Sequence, residues 1–436
     1  MLQTENTVRD IFRLVDKLYK KKPSKFIAGK TKVQYAGSYY DEREVKAMLE
    51  VIFKGWFGLA WQGSLMEREL AMFTGTKSAI LTNSGSSASL LSMSALTNKY
   101  YAKRIEKGSE VITPACTFAT TASAIVHAGL IPVFVDIEIG TYNVDPSDLE
   151  RAISKKTKVI FLPHTLGNPN DMNKIMRFVN KHKLILVEDN CDALGSKYDG
   201  KTTGSFGDLA TCSFYPAHHI TLAGEGGAVL INEKRLERII LSLRNWGRGC
   251  WCDGTEKDPN GACGYRFDFK IGNFPIDHKY YFTNLGYNLK PTEIQAAMGL
   301  IQLKRFPDMM TKRKNNFNKI YKHLTRYEKF FILPVSHPKS DPCWFSFPIT
   351  IKDNAPFTRR EITEYLESKK IETRTVFAGN ITRHPAFFDV KYRTAGNLKN
   401  SDKVLKDTFF IGIWPGITDQ QINYVITSFK KFLGRF

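Results

Sequence analysis

Two adjacent histidines lie in the segment of this chain that is best suited to proton transfer. His218 and His219 follow a Ser-Phe-Tyr-Pro-Ala run that begins at Ser213, and a Gly-Glu-Gly-Gly run comes soon after them. An imidazole has a reference pKa of about 6.5, so it can act as a general base near neutral pH. The nearest lysines, Lys201 and Lys234, lie well outside the segment. Since an imidazole cannot form a Schiff base, the segment predicts proton abstraction by His218.

Cysteines provide a second candidate site. Four of them are spaced C-x58-C-x-C-x10-C, at Cys191, Cys250, Cys252 and Cys263. Four thiolates can hold a [2Fe–2S] cluster or a structural zinc ion, although structural zinc usually takes two cysteines separated by two to four residues. Unrelated thiols are the third alternative. The remaining three are isolated and predicted to be packing residues: Cys116, Cys212 and Cys343. An odd total of seven argues against a disulfide framework.

Three further segments carry groups that suit a phosphorylated aromatic cofactor. The Ser-Gly-Ser-Ser run at 84–87, which contains Gly85 and Ser86, opens a predicted helix and offers N–H and hydroxyl groups to a phosphate. Asp189 ends an apolar strand, where a carboxylate can keep a pyridine nitrogen protonated. Phe118 follows another strand and can stack on a ring. The structural alternatives are helix caps for the first two segments and a core position for Phe118.

Composition and charge restrict the class of protein. No segment has the pattern of a signal peptide or a membrane span, so we expect a cytoplasmic protein that does not contact membranes. The 63 Lys and Arg residues exceed the 43 acidic residues and give a net charge of +20, which suits nucleic acid, an anionic small substrate or an acidic partner. No nucleic-acid motif accompanies the charge, so we do not expect nucleic-acid binding. The short basic clusters at 20–22 and 312–314 are interpreted as solvated surface.

Alternating apolar and helical segments predict an α/β fold. Strands are predicted at 111–113, 131–135, 158–162 and 184–187, and helices at 43–54, 119–127 and 171–181. Apolar strands separated by helices are typical of a parallel sheet covered on both faces. From about Pro307 a charged helix and mixed segments indicate a smaller domain. We therefore predict an N-terminal helical segment (1–45), a large cofactor-binding domain (46–306) with a Cys-rich loop near 248–265, and a small C-terminal domain (307–436).

The motifs, in this order, resemble those of the DegT/DnrJ/StrS sugar aminotransferase family. The resemblance covers the chain from about Gly55 to its end. It depends on residues 213–219, on the Arg-Asn-Trp-Gly-Arg run at 244–248 with the cysteine pair, and on the Gly-Tyr-Asn-Leu-Lys-Pro-Thr-Glu-Ile-Gln-Ala-Ala run at 286–297. Residues 377–383 also resemble a family segment. His218 occupies the position of the family's Schiff-base lysine. The chain is therefore most similar to the lysine-less branch, the CDP-4-dehydro-6-deoxyglucose 3-dehydratases.

The resemblance implies a fold, a cofactor and roles for individual residues. The fold is that of fold-type-I PLP enzymes, with a large mixed, mostly parallel sheet domain and a smaller C-terminal α/β domain, working as a homodimer with non-covalent PMP. His218 matches the catalytic base, Asp189 the partner of the pyridine nitrogen and Phe118 the stacking aromatic, whereas His219 is structural. The phosphate ligands are Gly85, Ser86, Ser213 and, from the other subunit, Asn288. The [2Fe–2S] ligands are Cys191, Cys250, Cys252 and Cys263, although the gap between the last two is longer than in the family.

The implied reaction is C3 dehydration of a nucleotide-linked 4-keto-6-deoxyhexose, with CDP-4-dehydro-6-deoxyglucose as the expected substrate, in the synthesis of 3,6-dideoxyhexoses for lipopolysaccharide O-antigen. PMP condenses with the C4 ketone, His218 removes a proton from the PMP methylene, and the C3 hydroxyl leaves. An NADH-dependent iron–sulfur flavin reductase then supplies two electrons through the cluster. One alternative is a cluster-free 3-dehydratase whose PMP is restored by glutamate. Another is a catalytically silent nucleotide-sugar sensor. The nucleotide base and the substrate-binding residues do not follow from the sequence.

Overall fold

The computed structural model describes residues 2–20, 25–250 and 266–436. The α-helices in these residues are Leu2–Tyr19 (α1), Glu42–Lys54 (α2), Trp61–Thr74 (α3), Gly85–Leu96 (α4), Ala119–His127 (α5), Leu149–Ala152 (α6), Met172–His182 (α7), Arg235–Arg244 (α8), Glu293–Leu324 (α9), Arg359–Ser368 (α10), Lys399–Asp407 (α11) and Asp419–Leu433 (α12). The strands are Ser78–Thr82 (β1), Glu110–Pro114 (β2), Ile131–Val135 (β3), Thr157–Pro163 (β4), Ile185–Asp189 (β5), Lys197–Tyr198 (β6), Lys201–Thr202 (β7), Leu209–Ser213 (β8), Gly227–Ile231 (β9), Phe269–Ile271 (β10), Phe274–Ile276 (β11), Phe331–Ile332 (β12), Ser340–Asp341 (β13), Ser346–Ile351 (β14), Thr373–Arg374 (β15), Arg393–Thr394 (β16) and Thr408–Gly412 (β17).

A mixed sheet forms the centre of the molecule. Its eight strands are ordered β1-β9-β8-β5-β4-β2-β3-β16. The strands from β8 to β16 in this order are parallel, whereas β9 is antiparallel to both β1 and β8. Every residue of β2, β5 and β9 is buried, as expected for strands covered on both faces by helices. The predicted α/β class and the mixed, mostly parallel sheet are confirmed.

The C-terminal part of the chain builds a second, antiparallel sheet with the order β12-β14-β17-β15. Its apolar face packs against α10 and α12 through a cluster that includes Phe347, Phe409 and Phe429. β16 leaves this region and joins the large sheet beside β3, where Arg393 donates a hydrogen bond to Glu110 (2.8 Å). The predicted boundary at residue 306 lies inside α9, which runs on through Pro307.

Helix α9 begins inside the motif at 286–297, and its first residues bind the start of α3. Thr292 caps α9 through a capping box with Gln295. The buried Glu293 carboxylate accepts hydrogen bonds from the backbone N–H groups of Ala60 (2.7 Å) and Gln62 (2.5 Å) at the start of α3. Since Ala60 has no capping side chain of its own, Glu293 satisfies N–H groups that α3 leaves open. None of the helices within the described residues combines the length and the apolar character that a bilayer crossing requires.

Candidate active site

Predicted functional residues meet at the carboxyl edge of the central sheet. Asp189 is the last residue of β5, and Ser213 is the last residue of the adjacent parallel strand β8. Phe118 lies just beyond the end of β2 and is the N-cap residue of α5. Ligands of open α/β sheets bind at this edge. A cavity of about 620 Å³ opens there, and the predicted residues that line it are Gly85, Ser86, Phe118, Asp189, Cys191, Ser213 and His218.

The N-terminus of α4 forms a cradle for an anion. Ser84 caps this helix by accepting a hydrogen bond from the backbone N–H of Ser87 (3.1 Å). A Cβ at Gly85 would lie 2.5 Å from the Cβ of Ser213, so only glycine allows the helix to approach β8 this closely. The Ser86 hydroxyl, which donates to Thr120 Oγ1 (3.1 Å), adds a polar group at the same end. Helix N–H groups together with hydroxyls fit a phosphate.

Asp189 is buried and partly engaged. Its Oδ2 accepts a hydrogen bond from Thr121 Oγ1 (2.6 Å). Its Oδ1 accepts one from the backbone N–H of Cys191 (3.2 Å) and a longer one from Thr211 Oγ1 (3.4 Å). A carboxylate has about four acceptor positions, so one remains for a donor in the cavity. A protonated pyridine nitrogen is such a donor.

His218 lies in the cavity wall with a carboxyl partner that sequence reasoning missed. Its Nε2 is 3.3 Å from Asp192 Oδ1, and the ring packs edge-on against Phe345. Burial lowers the pKa of His218 to about 4. Burial, together with the negative charge of Asp189, raises the pKa of Asp192 to about 8. The imidazole is therefore neutral at pH 7, which is the protonation state that a general base needs.

A buried arginine holds the histidine segment from behind. Arg313, on α9, is 1% exposed, and donates hydrogen bonds from Nη1 to the Phe345 carbonyl (2.9 Å) and from Nη2 to the His218 carbonyl (3.1 Å). The interpretation of 312–314 as solvated surface is wrong at this residue. His219 Nε2–H donates to the Cys343 carbonyl (2.7 Å), and this side chain is not among those that line the cavity.

The predicted cluster ligands are only partly described. Cys191 lines the cavity, and burial next to Asp189 raises the pKa of its thiol. Cys250 is a free, half-buried cysteine at the end of a described segment. Cys252 and Cys263 lie outside the described residues. Within residues 2–20, 25–250 and 266–436, no three His, Cys, Asp or Glu side chains are arranged to hold a metal ion.

Asn288 lies apart from the other predicted phosphate ligands. It is not among the residues that line the cavity, and its Oδ1 accepts a hydrogen bond from Lys290 Nζ (2.9 Å). The backbone there forms an isolated bridge between Asn288 and Asn245. Burial and the nearby guanidinium groups of Arg244 and Arg248 lower the pKa of Lys290 to about 8. This segment therefore presents basic groups outside the chain's own cavity.

Three residues that line the cavity were not predicted from the sequence. Asp192 follows Asp189 by three positions, and its place in the same acidic run was a usable sign. Tyr35 and Arg374 also line the cavity but come from distant parts of the chain. They meet because Val33 and Ile371 form a parallel β-bridge. Nothing local in either segment indicates this pairing.

The chain is similar to a known protein family, to curated proteins and to solved structures. The family model described as the DegT/DnrJ/EryC1/StrS aminotransferase family matches residues 38–430. A dTDP-4-dehydro-2,6-dideoxy-D-glucose 3-dehydratase from Saccharopolyspora spinosa is 47% identical over 413 residues, covering 94% of this chain and 88% of that protein. The lipopolysaccharide biosynthesis protein RfbH from Salmonella typhimurium is 44% identical over 415 residues, covering 94% of both chains. An E. coli GDP-4-keto-6-deoxy-D-mannose-3-dehydratase with bound hydrated PLP superposes with a TM-score of 0.82 at 28% identity, covering 91% of this chain and 98% of that chain.

Proposed function

We propose that this chain, which belongs to the DegT/DnrJ/EryC1/StrS aminotransferase family, is a PMP-dependent 3-dehydratase of a nucleotide-linked 4-keto-6-deoxyhexose. The observation that carries the proposal is the half-buried imidazole of His218, which lines a cavity that also contains Asp189 and the α4 cradle. No lysine is found among the described residues that line this cavity, so they offer no amine for a covalent cofactor link. Two of the similar proteins described above are nucleotide-sugar 3-dehydratases, which supports the same reaction class.

The residues present fit PMP. The cradle of Gly85, Ser86 and Ser213 suits its phosphate, and the free acceptor position of Asp189 suits its ring nitrogen. Phe118 is half exposed toward the cavity and can stack on the ring. When bound, PMP supplies a primary amine for the C4 ketone and an electron-withdrawing ring.

The protein's own groups then perform three tasks. His218 accepts a proton from the bound cofactor–substrate complex, because its imidazole is neutral and lines the cavity. Asp189 keeps the ring nitrogen protonated by accepting its hydrogen bond. Asp192, which is 3.3 Å from His218 Nε2, fixes the plane of the imidazole, while Arg313 fixes the backbone of the same residue.

We also propose that Cys191, Cys250, Cys252 and Cys263 hold a [2Fe–2S] cluster. Four thiolates are the ligand set that such a cluster takes, and Cys191 and Cys250 are free thiols. A cluster supplies single electrons, which a reductase donates in turn. Cys191 lines the same cavity as Asp189, so a cluster that it helped to hold would supply electrons beside the substrate site. The cluster-free alternative, restored by glutamate, needs none of these cysteines.

A homodimer is the third part of the proposal. Large apolar side chains are exposed at Trp56, Phe57 and Trp61, and Leu285 is 99% exposed. The bridge between Gly58 and Thr292 brings the first segment next to the start of α9, which follows the segment that contains Leu285. Exposed apolar faces of this kind mark protein contacts. A second copy on this face would bring its Asn288 to the cradle, as the motif resemblance implies.

A turnover assay separates the candidates. Protein purified anaerobically and loaded with PMP is mixed in D2O with CDP-4-dehydro-6-deoxyglucose and, separately, with its dTDP counterpart. Deuterium in the PMP methylene and loss of the C3 hydroxyl are followed by mass spectrometry, and iron is measured in the same sample. Deuterium exchange by a protein that also contains iron supports the full proposal. Exchange in an iron-free protein that needs glutamate for turnover supports the cluster-free enzyme, and binding without exchange would leave a sensor.

A further inference from the structure

Arg374 is the one lysine or arginine among the described residues that line the cavity. The lining also includes the carboxyl groups of Asp189, Asp192 and Glu225. Arg374 ends β15 at the edge of the small sheet, and its side chain is 46% exposed. A permanent positive charge therefore lies at the open part of the cavity. It belongs to the small sheet, whereas the cradle at α4 belongs to the large domain. An anionic substrate that enters meets this charge.

The N-terminal segment holds an aromatic ring against this arginine. Tyr35 also lines the cavity, and the guanidinium carbon of Arg374 is 4.5 Å from the centre of its ring. The backbone N–H of Tyr35 donates to Glu372 Oε2 (3.0 Å), and the N–H of Glu372 donates to the Val33 carbonyl (3.0 Å). The segment that carries Tyr35 is thus held by two hydrogen bonds to Glu372, which lies just before the strand of Arg374. Cation–π contact stabilises a guanidinium in one orientation.

Arg374 keeps hydrogen-bonding capacity for a ligand. Its Nη1 donates to the Thr373 carbonyl (2.7 Å) and its Nη2 to Glu372 Oε1 (3.3 Å). A guanidinium has five N–H donors, so three have no partner among the described residues. Glu372 is shared with Lys32, which leaves the group of Lys32, Glu372 and Arg374 with a net positive charge. A planar, oriented guanidinium with free donors is suited to phosphate oxygens.

We propose that Arg374, supported by the ring of Tyr35, binds the diphosphate of the nucleotide-linked substrate. The inference rests on the proposed function, in which the substrate is a nucleotide sugar. The α4 cradle is assigned to the cofactor phosphate, so the substrate's two phosphates need a separate cation. Arg374 is the lining residue that provides it. Tyr35 thereby becomes part of the substrate site.

The test measures binding of a nucleoside diphosphate to the PMP-loaded protein by calorimetry, with CDP and dTDP as probes. Arg374→Met keeps the length of the side chain and removes its charge, so we expect affinity to fall about 100-fold. Arg374→Lys keeps the charge but removes the planar guanidinium with its paired N–H donors, so affinity for the nucleoside diphosphate should fall about tenfold. Affinity for PMP should be unchanged in both variants. In turnover, Arg374→Met should raise KM and leave kcat within about twofold, because the contact is the same in the ground and transition states.

Lys32→Met is the matched control. It removes one positive charge from the same group, but Lys32 does not line the cavity, so diphosphate affinity should stay within about threefold. Equal loss in Lys32→Met and Arg374→Met would overturn direct contact and leave only a long-range field. Wild-type affinity in Arg374→Met, or a parallel loss of PMP affinity, would also overturn the proposal. If diphosphate binding follows the prediction while no nucleotide sugar is dehydrated, the site stands and the proposed reaction fails.

Discussion

Replacement of His218 by asparagine is the most direct test of the catalytic base. The side chain lines the cavity and touches Asp192, whereas the cradle at Gly85 and the hydrogen bonds of Asp189 do not involve it. Loss of a positioned base costs about 10²–10⁴-fold, which at about 1.4 kcal/mol per decade is a barrier increase of roughly 3–5.5 kcal/mol. We expect exchange of the PMP methylene proton to fall by this factor and PMP affinity to stay the same.

The neighbouring histidine provides a matched control with the opposite outcome. His219 is 3% exposed and donates to the Cys343 carbonyl. His219→Asn leaves that buried carbonyl without its donor, which costs about 1–3 kcal/mol of folding stability. Exchange per folded molecule should remain near the wild-type rate, and thermal unfolding should report the loss. The His218 variant should therefore change the rate of proton exchange, and the His219 variant should change the thermal stability.

The exchange assay also defines what would refute this reasoning. PMP-loaded protein and substrate are incubated in D2O, the cofactor is recovered, and deuterium in its methylene group is counted over time. Exchange by His218→Asn within tenfold of wild type would assign the proton to another group. A fall of equal size in His219→Asn would mean that the whole segment, and not one imidazole, determines the rate.

Three further outcomes follow from the same geometry. His218→Lys should form a yellow, borohydride-reducible adduct with PLP, and bound PLP without an adduct would place the motif register at least one residue off. Serine at any predicted cluster ligand should remove iron and the paramagnetic signal of the reduced cluster but spare proton exchange; stoichiometric zinc in wild-type protein would contradict this. The ligand set is Cys191, Cys250, Cys252 and Cys263, and the matched control set is Cys116, Cys212 and Cys343. Dimers that combine one Asn288→Ala subunit with one His218→Asn subunit should regain activity that neither variant has alone, because one of their two sites has both wild-type residues. If the mixture stays inactive, Asn288 acts in the site of its own subunit.

The sequence predicted the parts of the fold whose signals are local. α5 and β3 occupy the residues expected from the apolar pattern, and α7 lies one residue later than expected. The apolar run before Asp189 predicted a buried strand, and the position of Asp189 at its carboxyl end followed from that. Such assignments succeed because the hydrophobic periodicity of a strand or a helix is visible within a short stretch of sequence.

Arg313 illustrates why a local signal can mislead. Its lysine neighbours in sequence suggested a solvated cluster, yet Met309, Arg313, Phe317 and Ile320 form one buried stripe of α9. Steps of three and four residues bring these side chains to the same face of a helix. The helical spacing therefore indicated that Arg313 is buried, whereas its charge suggested that it is exposed. The contact between Tyr35 and Arg374 had no such sign, because it depends on a β-bridge between segments far apart in the chain.

Helix α9 explains how the base can be rigid and still open to substrate. With 32 residues it is about 48 Å long, at 1.5 Å per residue. Glu293 holds α3 at one end, Arg313 holds the His218 carbonyl further along, and Asn316 Nδ2 donates to the Ile413 carbonyl (3.2 Å) after β17. The contact from Arg313 reaches His218 through its backbone, on the side away from the cavity, so the imidazole needs no contact with the substrate to stay in place. The cavity side of the ring is left for the proton that it must accept.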